Sequence, residues 1–290
     1  MAIIKTENLN YVYSEKTPFE KSALKNVNIE IEEGEFVGII GHTGSGKSTL
    51  VQHFNGLVKP TSGKIFVDGK DIWENEKEIA SLRFKVGLVF QYPEYQLFDE
   101  TVASDIAFGP RNMGLGDEEI KARVQMAAHY VGLTDEILAK SPFDLSGGQK
   151  RRAALAGVLA MKPKVLILDE PTAGLDPIGR DTILSRISKF REESNTTVLL
   201  VSHSMEDVAK VADKVLVMNQ GQAVMYDTVE KVYAHSDELH EMGLNVPHIT
   251  KVVSKLRKNG VDIHAGIYTV DKAYEAILEL FKKGGKIDVK

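Results

Sequence analysis

The apolar positions of this chain fall into three patterns. Near the start they tend to alternate with polar ones, as in AIIKTENLNYVY (2–13) and SALKNVNIEIEEGEF (22–36), which predicts half-buried strands. GKIFVDGKDI (63–72) carries Asp68-Gly69, a turn pair suited to a hairpin tip. FVGII (36–40) is instead a continuous apolar run, the mark of a parallel strand buried on both faces. It runs into a glycine-rich loop and then STLVQHFNGL, a predicted helix that Gly56 is placed to end.

From about Tyr92 the period changes to that of helices. DEEIKARVQMAAHYVG opens with an acidic turn, sets Ile120, Val124, Ala127, Ala128 and Val131 on one face, and stops at Gly132. GQKRRAALAGVLAMKP predicts a further helix closed by Pro163. Strands then return as KVLILD (164–169), TTVLLVS (196–202) and KVLVMN (214–219), with a helical spacer between the first two. Strands alternating with helices predict an α/β fold around a parallel sheet, carrying a helical insertion between Tyr92 and Met161. From about Asp227 a small appended helical unit is expected. In it Ile249, Val252, Val253 and Leu256 share one helical face, and Tyr274, Ile277, Leu278 and Phe281 share another behind an Asp271 cap. Both of its helices should stop at Lys and Gly, and the unit should serve packing or dimerisation.

Composition narrows the class. No apolar run approaches the roughly 18–20 residues that a membrane helix needs, so any membrane role would pass through a partner. The opening MAIIKTENLN has no basic segment followed by an apolar core, and no signal peptide is expected. The net charge of −5 argues against a protein that coats nucleic acid. Cysteine is absent, which removes disulfides and thiolate metal sites and fits the cytosol.

The chemistry is concentrated where strands end. GHTGSGKST, spanning Gly41, His42, Thr43, Gly44, Ser45, Gly46, Lys47, Ser48 and Thr49, fits the phosphate-loop pattern G-x-x-x-x-G-K-[ST] between a strand and a helix. Its glycines let backbone N–H groups turn toward phosphate oxygens at a helix N-terminus. Lys47 should reach the β- and γ-phosphates of a nucleotide, and Ser48 should offer its hydroxyl to Mg²⁺. VLILDE (165–170) puts Asp169 at the carboxyl edge of the sheet as a Mg²⁺ ligand, through water, and Glu170 beside it as general base. His203 follows the next strand and is expected near the γ-phosphate or attacking water. Gln91, after VGLVF, is a neutral amide that could bind Mg²⁺ or water. Tyr13 could stack on an adenine ring, with Tyr11 as its rival.

LSGGQ (145–149) holds no acid, base or strong metal ligand. Ser146, with the backbone N–H groups of Gly147 and Gly148 at a predicted helix start, makes an anion site of amides, a hydroxyl and a helix dipole.

Taken in order, Tyr13, GHTGSGKST, Gln91, LSGGQ, VLILDE, AGLD (173–176) and His203 resemble the nucleotide-binding subunit of an ABC transporter over about residues 1–225. The resemblance implies a P-loop NTPase fold: a RecA-like parallel core, an N-terminal antiparallel β subdomain and a helical subdomain over about 92–161. Residues 226–290 would form the accessory helical domain. It implies binding of ATP with Mg²⁺, hydrolysis by an intact Glu170 and His203, and a signature loop whose phosphate belongs to ATP held by another subunit, with Gln149 near its ribose or the interface.

YPEYQLF (92–98) is similar to the second, A-prime, type of energy-coupling factor (ECF) transporter ATPase. That similarity implies a heterodimer with a second ECF ATPase, peripheral on the cytoplasmic face of the membrane, beneath a T component that contacts a substrate-binding S component. The segment after Gln91 would form the groove for the T component, with Glu94, Asp99 and Glu100 as acceptors for its arginines. A self-pairing ATPase of another importer, or a soluble ABC ATPase of repair or translation, are the rival readings. A single motif set without cysteine weighs against the second of these.

Overall fold

The structure is a computed structural model and describes residues 1–282. Strands β1 (Ala2–Tyr13), β2 (Lys21–Glu32) and β3 (Phe36–Ile40) lead into helix α1 (Lys47–Phe54). β4 (Ser62–Val67), β5 (Lys70–Asp71), α2 (Ile79–Lys85) and β6 (Val86–Val89) follow. The helical insertion comprises α3 (Val102–Asn112), α4 (Asp117–Val131), α5 (Asp135–Leu138) and α6 (Gly147–Leu159). The chain then alternates through β7 (Val165–Asp169), α7 (Pro177–Ser194), β8 (Thr197–Val201), α8 (Met205–Val211), β9 (Lys214–Asn219) and β10 (Gln222–Thr228). It closes with α9 (Val229–Ala234), α10 (Ser236–Glu241), α11 (His248–Lys258) and α12 (Val270–Lys282).

Two sheets result. β2-β1-β4-β5 is antiparallel, with Asp68 and Gly69 both at positive φ in the turn joining β4 to β5. The second sheet runs β10-β9-β3-β8-β7-β6, parallel except for its outer strand β10. Its central strands separate two cores with a period of two. Val37, Ile39, Val165, Ile167, Leu199 and Val201 pack with α1 and the antiparallel sheet. Phe36, Ile40, Leu166, Leu168, Val198 and Leu200 pack instead with the helical insertion, α7 and α8.

Some boundaries differ from expectation for local reasons. Helix α6 ends at Leu159, ahead of Pro163, because Lys162 adopts φ 52° and the residue before a proline avoids the helical region. Helix α8 is too short to show a period, and it is capped by Ser204, which accepts from the Asp207 N–H. Asp271 is not a cap. Helix α12 begins at Val270, and the Thr269 hydroxyl accepts from the Lys272 N–H. Gly284, where that helix was expected to stop, lies outside the described residues.

The expected division at 225/226 falls inside β10. Beyond it Val229, Val232, Tyr233, Leu239, Leu244 and Val246 still belong to the large core. A separate small core of Val253, Ile263, Ile267 and Ala273 begins only after them.

Gly38 in β3 shows how tightly the sheet supports α8. A Cβ there would collide with Cγ1 of Val208 and lie 3.2 Å from its Cγ2, and Val208 is fully buried. Gly38→Ala should therefore destabilise the fold by about 1–3 kcal/mol through overpacking. Urea unfolding should show a lower midpoint at unchanged slope, and an unchanged midpoint would contradict this account.

Candidate functional site

Four parallel strands deliver the functional side chains to one edge. β3 ends in the phosphate loop, β7 in Asp169, β8 just before His203, and β6 just before Gln91. Within the loop, Gly44 and Gly46 have φ 80° and 104°, the left-handed region that glycine adopts without strain. A Cβ at Gly44 would meet no atom within 4 Å, whereas one at Gly46 would lie 2.7 Å from the Ala23 carbonyl oxygen. Ser45 is fully buried, and its hydroxyl has no hydrogen-bond partner. His42 lies on the loop's flank, with Nε2 3.1 Å from Asn219 Oδ1.

Lys47 is buried at the start of α1 and donates from Nζ to the carbonyls of Gly41 (2.7 Å) and His42 (3.1 Å). Burial holds its ammonium below the ordinary lysine range, opposed by the charges of Glu170 and Asp169. Asp169, also buried, is raised by desolvation, while a hydrogen bond with Ser48 and the charges of Lys47 and His203 act against that rise. Ser48 and Asp169 are thus already in contact.

Glu170 turns away from the strand at φ 55°, with its own N–H held by the Val201 carbonyl at 3.0 Å. This left-handed conformation in a non-glycine residue is a local strain of the kind found at functional sites. Burial pushes its carboxyl up to about 7, offset in part by a hydrogen bond from the His203 backbone N–H. Its Oε1 lies 3.4 Å from His203 Nε2, and this buried oxygen has no hydrogen-bond partner. Burial, then Lys47, holds the His203 imidazole below its ordinary range, with Asp169 opposing.

Tyr13 and Tyr11 occupy different places. Tyr13 lines a cleft of about 180 Å³ with Lys21, Gly44, Gly46 and Lys47, and its hydroxyl lies 3.0 Å from that of Thr49. Tyr11 packs edge-on between Tyr13 and His53, at ring centroid distances of 4.7 Å and 4.8 Å. Gln91 is exposed just past the end of β6.

Ser146 does start a helix, and Gln149 takes part in its cap. Its side-chain Oε1 accepts from the Ser146 N–H at 2.9 Å, while its N–H donates to the Ser146 hydroxyl at 3.4 Å. This is a capping box, legible as S-x-x-Q before the apolar run. It ties Oε1 of Gln149 back onto Ser146. No atom lies within 4 Å of a Cβ built at Gly147, so the helix start stays open to an approaching anion.

The acidic trio after Gln91 is not uniformly available. Glu94 is clamped by buried Arg151, with Nε 3.2 Å from Oε2 and Nη2 2.9 Å from Oε1. It thus already receives an arginine from its own chain. Asp99 faces Arg111 at 3.6 Å, which leaves Glu100 exposed at the rim. Nearby, a groove of about 280 Å³ is lined by Leu97, Phe98, Phe108, Ala153, Val158 and Met161, among others. Phe98 and Phe108 are exposed and meet edge to face at 5.1 Å. Sequence reasoning missed Arg151, although it stands one and two helical turns ahead of buried Leu155 and Leu159.

Residues 24–173 match the family described as ABC transporter. The chain is 56% identical over 280 residues to the energy-coupling factor transporter ATP-binding protein EcfA2 of Clostridium perfringens, covering 96% of this chain and 98% of that protein. It is 58% identical over 280 residues to EcfA2 of Clostridium acetobutylicum, with the same coverage. Among solved structures it resembles cbiO1 from Clostridium perfringens, part of the ABC transporter complex cbiONQ. The TM-score is 0.74 at 42% identity, over 87% of this chain and 99% of that one. A dimeric ATP-binding cassette in a post-hydrolysis state, bound to ADP and Pi, gives a TM-score of 0.69 at 29% identity, over 78% of this chain and 98% of that one.

Fold and site together define an ABC-type ATPase. More narrowly, the chain belongs to the energy-coupling factor transporter ATP-binding proteins, the family of the EcfA2 relatives.

The raised Glu170 carboxyl has a measurable consequence. From about 4.5 to about 7 the folded chain holds this proton more tightly than the unfolded chain. The stabilisation is full below about 4.5 and lost as pH rises through 7, on the order of 3 kcal/mol in all. Without nucleotide, Glu170→Gln should therefore gain stability relative to the wild type between pH 5 and pH 8. Urea unfolding at both values checks this, and a pH-independent difference would contradict it.

Proposed function

We propose that the chain binds MgATP on the 41–49 loop and hydrolyses it within a heterodimer. Lys47 would exchange its carbonyl partners for β- and γ-phosphate oxygens, and the ring of Tyr13 would stack on the adenine. Ser48, Gln91 and, through water, Asp169 would hold Mg²⁺, which when bound neutralises phosphate charge. The existing Ser48–Asp169 contact suits that role, since it brings a hydroxyl and a carboxylate together beside Lys47.

The observation that supports this reading most directly is the buried, unpartnered Oε1 of Glu170 beside His203. A water there would find a carboxylate with an affinity for protons matched to neutral pH, as a general base requires. Glu170 takes the proton as the water oxygen bonds to the γ-phosphorus, and the bond to the β–γ bridging oxygen breaks. His203 would orient the γ-phosphate or the water. The helix start at Ser146, Gly147 and Gly148 would close on ATP held by the partner ATPase, with the capping box keeping the site rigid.

The groove beside Phe98 and Phe108 would receive a T component, which in turn contacts a substrate-binding S component. Glu100, exposed two residues after Phe98, would be an acceptor for its arginines. Through these partners the chain would sit at the cytoplasmic face of the membrane. Among the described residues no helix is long and apolar enough to cross it. Residues 247–282 would act as the accessory element between the two ATPases.

In the assembled complex Glu170→Gln should bind ATP normally and lose about 10²–10⁴-fold in hydrolysis. Lys47→Ala should instead weaken nucleotide binding itself. Near-normal turnover by Glu170→Gln would overturn the general-base role. Ser146→Arg should spare ATP binding by this subunit yet block closure over the partner's nucleotide, read by crosslinking across the interface. Closure that survives the substitution would overturn the shared site.

A further inference from the structure

Arg151 lies in neither the nucleotide site nor the groove, yet it touches the elements that serve both. Its guanidinium grips Glu94 with two parallel bonds of 3.2 Å and 2.9 Å. Its third nitrogen, Nη1, donates to the Ala173 carbonyl. Glu94 belongs to the one-turn 3₁₀ helix Pro93–Gln96, which leads directly into the groove residues Leu97 and Phe98. Ala173 opens the AGLD loop, and its own N–H returns to the Glu170 carbonyl at 3.2 Å. Arg151 itself stands five residues into the helix that Ser146 caps, roughly 7–8 Å along its axis.

We propose that Arg151 is a positioning residue that transmits occupancy of the groove to both halves of the nucleotide chemistry. The inference rests on the reading of the groove as the seat of a membrane partner.

The physics favours motion as one body. A forked, charge-assisted pair fixes relative orientation as well as distance. Arg151 is buried and Glu94 nearly so, and separating them would strand a charge away from water. A partner helix pressing on Phe98 therefore cannot shift the 93–98 segment without carrying Arg151. That movement redirects the Ser146 end of α6, proposed above to meet the opposite subunit's ATP, and residue Ala173, whose own N–H donates to the Glu170 backbone carbonyl. A lysine would keep the charge but not the fork, and could not hold both partners in one plane.

The test uses the complete transporter in lipid vesicles, alongside the detached pair of ATPases. Glu94→Gln, Glu94→Asp and Arg151→Lys are compared with the wild type, with thermal melts confirming the fold. For Glu94→Gln and Arg151→Lys the detached pair should keep its KM for ATP and its hydrolysis rate within about twofold. Substrate uptake per ATP hydrolysed should fall at least about fivefold in the complete transporter, the low end of typical coupling between sites. Glu94→Asp should recover part of that loss. If Arg151→Lys fails to fold, the two Glu94 variants carry the test.

Unchanged uptake per ATP in Glu94→Gln would overturn the role of Arg151. So would an equal fall in the detached pair, since that marks a purely structural contact. Absence of uptake-linked hydrolysis by the wild type with any T component would instead remove the reading of the groove, and this inference with it.

Discussion

The register of the parallel sheet is the constraint on which the site depends. Ile39, Val201 and Asp169 form one row across β3, β8 and β7. The next backbone steps are locked by the Glu170 N–H on the Val201 carbonyl and the Ser202 N–H on the Ile39 carbonyl. A slip of one residue would turn every side chain of a strand to the opposite core. Because both faces are buried, such a slip is prohibitively unfavourable, so the ends of three strands are held level by the sheet and do not rely on contacts between the functional groups. Glu170 can then afford a left-handed backbone and an unpartnered oxygen, since the sheet beneath it holds the conformation.

Much of this arrangement was legible in the sequence because its signals are local. FVGII, VLIL and VLLV are continuous apolar runs of strand length, as expected of strands covered on both sides. The phosphate loop follows from glycine spacing, and β3, β7 and β8 end where their apolar runs end. The acidic residue after β7 was readable for the same reason. Short elements were not. Helix α8 has too few residues for a period, and β10 reads like the start of a tail because an edge strand needs no apolar face of its own.

What the sequence hid were partnerships over long separations. Glu94 reads as an acceptor for a partner's arginine, and the fold brings Arg151 of the same chain across 57 residues to meet it. Asp207 similarly looks like a first-turn helix acid, but the fold buries it against the Thr172 hydroxyl at 2.8 Å. Tyr13 was preferred to its rival Tyr11 in sequence, and the fold sets Tyr13 along the cleft and Tyr11 against His53. The capping box at Ser146 is the exception, a local S-x-x-Q pattern that the sequence itself carries.

The two cores on either side of the central sheet give the chain a form of modularity. Substitutions at Val37, Ile167 and Leu199 perturb the layer beneath the phosphate loop, while those at Phe36, Leu166 and Leu200 perturb the layer against the helical insertion. Changes that share a layer share neighbours and should couple energetically, whereas changes in different layers should come closer to simple additivity. The layer against the insertion can thus vary at strand positions one residue out of phase with those beneath the phosphate loop. Divergence could then be absorbed in one layer while the other keeps its packing.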